Sequence, residues 1–97
     1  MKRAFIEKTE KAVREWAQQY PNIELAAVEV YPGSVPNAFH VIVVAAKGFE
    51  NWEQTEREDN LYWFLRKQLG DTEIVKISIL LTLTEENYEI TSDEAYS

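Results

Sequence analysis

The chain has no cysteine, three glycines, three prolines and one histidine in 97 residues. The missing cysteine excludes disulfides, thiolate metal sites and cysteine nucleophiles, and it fits a reducing compartment, so a cytoplasmic protein is expected. No stretch is long enough and apolar enough to span a bilayer. The opening residues MKRAFIEKTEK start basic, but charge returns at Glu7 and Lys8 before any apolar signal region develops. Basic residues are also scarce: ten Lys and Arg face seventeen Asp and Glu, for a net charge of −7. That sign opposes phosphate-backbone binding, which rests on clustered Lys and Arg, so neither a nucleic-acid nor a membrane partner is expected.

What is present is a globular composition, 45% hydrophobic and 12% aromatic. A chain of this length makes one domain and can hide roughly 60 to 65% of its unfolded surface, enough for a modest core without staples. Residues 1–90 are read as that domain. Residues 91–97 are read as a frayed acidic tail, continuing a segment from Glu85 onward with five acidic residues and no basic ones.

Periodicity supplies the elements. Phe5, Ile6, Thr9, Ala12, Val13, Trp16, Ala17 and Tyr20 form one stripe at helical spacing, which predicts a helix over 3–20 ended by Pro21. Its charges include Glu7 before Lys11 and Glu10 before Arg14 at i, i+4, the pattern of a solvated face. Residues 23–31 read as a strand of uncertain phase: Ile23, Leu25 and Ala27 alternate with Ala26, Val28 and Val30, so the strand has a bulge or two apolar faces. PGSVPN at 32–37 is a turn, and lacks the lysine of a phosphate-binding loop. Residues 38–46, AFHVIVVAA, are apolar on both faces, as expected of a central strand.

Residues 49–70 predict a second helix, with Asn51 and Gln54 as a capping box and Gly70 beyond its end. Leu61, Phe64, Leu65 and Leu69 face the core. Trp52 and Trp63 lie opposite, beside Glu56 and Asp59. Residues 74–84 alternate as a strand, with Val75, Ile77, Ile79, Leu81 and Leu83 expected against the helices and Ser78, Leu80 and Thr82 on the other face. A turn or short strand is expected around 88–90. A strand–helix–strand order implies a crossover between parallel strands. The fold class is therefore α+β: a two-layer sandwich in α-β-β-α-β order, with a mixed three-stranded sheet and both helices on one face.

That order is similar to the cytosolic domain of cation-diffusion-facilitator transporters in topology. With a single histidine and no membrane segment, the likeness implies a fold and no metal-binding residues.

Chemistry-bearing constellations are sparse, so no catalytic residue, metal ligand or cofactor is assigned and the protein is not expected to be an enzyme. Glu53, Glu56, Glu58 and Asp59 are read as a solvated face, since Arg57 interrupts them and no histidine is at a matching helical position. Association is the better signal. The sheet face away from the helices would carry His40, Ile42, Val44, Ser78 and Leu80, too apolar to be left open, and a second copy would cover it as a twofold dimer. The C-terminal segment folding back is the other way to cover it. Trp52, Glu56, Asp59 and Trp63 form a second expected surface, suited to a protein partner with an apolar groove and a basic rim. The expected function is thus a homodimeric interaction module. Two alternatives are a small enzyme or ligand-binding protein with a pocket near His40 and Ser78, and an antitoxin-like inhibitor that masks a basic surface.

Overall fold

In the computed structural model of the chain, residues 2–89 are described. Helix α1 (Lys2–Gln18) buries the stripe read from the sequence: Phe5, Thr9, Ala12, Val13, Trp16 and Ala17 are all buried. It unwinds before Pro21, and the chain then enters β1 (Glu24–Pro32). A loop closed by the Gly33 amide donating to the Ala38 carbonyl at 2.8 Å leads into the antiparallel β2 (Phe39–Lys47). Gly48 makes the exit. Its φ is +102° and a Cβ there would lie 2.6 Å from the Asn22 carbonyl oxygen, so no other residue fits without moving the chain.

Helix α2 (Gln54–Leu69) follows, then a single helical turn, α3 (Asp71–Ile74), and β3 (Ile77–Thr84), parallel to β2. Thr84 caps a further turn, α4 (residues 85–89), by accepting the Asn87 amide at 3.2 Å. The described residues thus form four helices and one mixed sheet in the order β1-β2-β3. The expected α+β architecture is present, with α1 and α2 packed on the same sheet face. The tail at 91–97 lies outside the described residues, and Tyr88 and Glu89, expected in a turn or strand, are helical.

Between sheet and helices lies the main core, where Val13, Trp16, Val41, Val43, Phe49, Leu61 and Leu65 are almost fully buried. Each large apolar side chain removed from water there contributes about 1.5–3 kcal/mol. α2 begins later than periodicity implies. Phe49 to Trp52 form a turn, with the Trp52 amide on the Phe49 carbonyl at 3.1 Å, and Glu53 rather than Asn51 takes the N-cap position without a side-chain bond. The reason is that Phe49 is buried and Arg57 claims the carbonyls of Phe49 and Trp52. At the other end, Gly70 with φ +90° donates to the Arg66 carbonyl and ends the helix as expected.

Two bulges decide which side chains meet which layer. In β1 the register slips around Ala26, so Leu25, Val28 and Val30 all join the helix-side core while Ala27 pairs with Val44 on the opposite face. In β3 an extra residue at Ser78 sets Ile77 opposite Phe39 but Ile79 opposite His40. The strand's phase therefore inverts at Ser78. Leu80 and Thr82 turn toward the helices, and Leu81 and Leu83 toward the other face, the reverse of the expected alternation. Val75, expected in the core, is 76% exposed at the end of α3.

Candidate interaction surface

The outer edge of β3 is held by two consecutive charged residues of α2. Glu58 Oε2 accepts the Thr82 amide at 2.8 Å, and Arg57 donates to the Thr82 carbonyl at 2.8 Å and to its Oγ1 at 3.0 Å. The same guanidinium donates to the Phe49 carbonyl at 3.0 Å and to that of Trp52, and it lies 4.6 Å over the Phe49 ring. Gln54 adds a bond to Glu58 at 3.0 Å. Burial lowers the Arg57 pKa and the charge of Glu58 opposes that shift, so the fold carries a cation at a desolvation cost that these bonds offset. Sequence reading passed over this cluster. The available signal was spacing: Arg57 precedes Leu61, Leu65 and Leu69 at four-residue steps and so occupies the buried stripe.

The proposed outer surface of α2 divides. Trp52 is not on the helix; it stacks on Trp16 at 5.9 Å and packs against Tyr20 at 5.2 Å, inside the molecule's own aromatic cluster. Asn60 ties that cluster to α2 by accepting from Trp16 Nε1 at 2.9 Å and Tyr20 Oη at 2.8 Å. Trp63 remains 55% exposed, with the Arg66 guanidinium 5.1 Å over its ring, on the same stripe as the exposed Glu56 and Asp59. Arg66 in turn bonds Asp71 at 2.7 Å, a contact that raises its pKa. On α1 the ion pair is Arg3 with Glu7 at 3.1 Å; among the described residues Glu7–Lys11 and Glu10–Arg14 do not pair.

On the far face of the sheet the register aligns three rows: Tyr31, His40 and Ile79; Glu29, Ile42 and Leu81; Ala27, Val44 and Leu83. The last two rows are covered. Ile42, Val44 and Leu83 are buried in a second cluster with Tyr88 of α4, whose hydroxyl donates to Glu29 at 2.9 Å. Of the expected dimer face, His40, Ile42 and Val44 do share this side. Leu80 packs in the helix-side core instead, because of the bulge at Ser78. In the first row Tyr31 and Ile79 stay exposed, at 43% and 41%, and the His40 imidazole meets the Tyr31 ring edge-on at 5.2 Å.

His40 and Ser78 do not form a pair. The Ser78 hydroxyl donates to the Phe39 carbonyl at 3.3 Å, while Gly33 crosses so close to His40 that a Cβ there would be 2.9 Å from Nε2. The adjacent cleft, about 260 Å³, is lined by the loop 32–39 and by neither of these side chains. Among the described residues no three His, Asp or Glu are grouped to hold a metal ion. No helix of the described residues is long and apolar enough to cross a membrane.

These features define a two-layer α+β domain in which the middle of one sheet edge and two of the three rows of its second face are covered from within. No family model, curated protein or solved structure was found to match the chain.

Proposed function

We propose that the chain is a small, acidic, non-catalytic interaction domain of the cytoplasm that acts as a homodimer. The observation carrying this reading is the row Tyr31, His40 and Ile79, where two large apolar side chains remain exposed beside a face otherwise covered by α4. The row contains no carboxylate. Its Tyr31 end is on the edge strand β1, and there two copies of a molecule of net charge −7 meet with little repulsion. The engagement of Ser78 with a backbone carbonyl and of His40 with Tyr31 also favours a binding role over an acid–base one.

A second contact, for a protein partner with an apolar slot and a basic rim, is the stripe Glu56, Asp59 and Trp63 on α2. Size-exclusion chromatography with light scattering at high micromolar concentration should give about twice the 11.3 kDa monomer mass. A monomer under those conditions overturns the homodimer.

A further inference from the structure

We infer that two copies join along the outer edge of β1, so that their three-stranded sheets become one six-stranded sheet around a twofold axis. The inference rests on the homodimer reading and specifies its seam.

Backbone direction comes first. Bonded and non-bonded pairs alternate along an antiparallel ladder. The Gly33 amide bonds the Ala38 carbonyl at the loop end of the ladder, so 31 with 40 and 29 with 42 are its bonded pairs, leaving Val28 and Val30 with their N–H and C=O groups pointing away from β2. An independent contact agrees: Phe39, opposite Pro32, sends its amide to the Lys76 carbonyl on the β3 side. Pro32 thus has its missing N–H on the outer edge, where a proline is tolerated in a sheet. Among the described residues the outward groups of Val28 and Val30 meet no partner.

The opposite edge decides the occupant. A sheet with two free edges that self-pairs runs on into a filament, whereas one with a single free edge can pair only with the same edge of another copy and closes as a dimer. Here Glu58 and Arg57 occupy the outward amide and carbonyl of Thr82 in the middle of β3, so among the described residues that edge offers no run of consecutive outward groups, whereas β1 offers Val28, Val30 and the Pro32 carbonyl in succession. Charge then restricts the register. A twofold axis at Glu29 would set two carboxylates directly opposite, while an axis at Val30 sets Glu29 against Tyr31 of the second copy. In that register the Val30 amides bond across the axis and each Val28 amide reaches the Pro32 carbonyl of the other copy.

The test combines amide exchange with two substitutions, read by light scattering and sedimentation. Val28→Pro removes an N–H that makes no bond within its own protomer, and should raise the dimer dissociation constant at least about tenfold, since two symmetric bonds are lost. Ile79→Arg, on the far strand of the exposed row, should change it by less than about twofold. In the unaltered protein the Val28 and Val30 amides should become protected as concentration rises, and this readout decides the matter if Val28→Pro fails to fold. A dimer indifferent to Val28→Pro, split by Ile79→Arg, or without concentration-dependent protection at Val28 and Val30 overturns the edge seam while leaving the homodimer standing. A monomeric unaltered protein removes both.

Discussion

The two edges of this sheet are treated differently. At β3, α2 turns two charged residues inward and satisfies both outward backbone groups of Thr82 with side chains of opposite sign. At β1 the edge carries a bulge near Ala26, Glu24 at its start and Pro32 at its end, which shorten the pairing window without closing it. The contrast teaches that an edge can be closed by the element preceding it in the chain. α2 leads through α3 into β3, and Thr82 lies opposite the first turn and a half of that helix. β1 is also preceded by a charged helix that packs on it, α1, but among the described residues no α1 side chain bonds the outward groups of Val28 or Val30.

The largest effect on this contrast should come from Arg57→Ala. It strands the carbonyls of Trp52 and Thr82, takes one of two donors from that of Phe49 and leaves Glu58 without its neighbouring cation, and urea unfolding should register a loss of about 3–5 kcal/mol. Domains of this kind have only about 5–15 kcal/mol in total, so the variant should sit near its unfolding threshold. Glu58→Ala is the gentler test of the same edge. It frees one amide, that of Thr82, and should cost about 1–3 kcal/mol while opening β3 to pairing, visible as assemblies larger than a dimer.

The faces repeat the contrast on a smaller scale. Tyr88→Phe keeps the ring over Ile42, Val44 and Leu83 and removes the hydroxyl's bond to Glu29, for about 1 kcal/mol by the same measurement. A loss near zero would mean that the ring alone holds α4 on the sheet.

Much of this architecture was legible in the residues. The α1 stripe from Phe5 to Tyr20 predicted the buried face of that helix, because 3.6-residue spacing leaves few other arrangements for eight such side chains. The two-sided apolar pattern of residues 38–46 placed β2 at the centre. Gly70 marked the end of α2 by its chemistry. What escaped was phase. One extra residue at Ser78 moves Leu80 and Thr82 to the helix side and Leu81 and Leu83 to the other, and alternation alone gives the same pattern with or without it. For β1 the ambiguity between Leu25 and Val28 was visible as such, and the bulge at Ala26 is its resolution.

The candidate surfaces were half legible for a related reason. Helical projection grouped Glu56, Asp59 and Trp63, but it carried Trp52 along because the helix was extended five residues too far back. Arg57's demand for the Phe49 and Trp52 carbonyls keeps that segment out of the helix, and composition gives no direct sign of a backbone group claimed by a side chain. The uncertainty over what covers the sheet also has a local answer. Thr84 begins a new turn that carries Tyr88 back across to Glu29, a contact between residues 59 apart in sequence.

The most direct measurement is residue-resolved amide exchange on the unaltered protein at low micromolar concentration, where association is least. A sheet with one edge closed from within predicts a slowly exchanging Thr82 amide beside rapidly exchanging Val28 and Val30 amides. A Thr82 amide that exchanges as fast as those two would contradict the closure of β3 by α2, and with it the asymmetry from which the dimer seam is inferred.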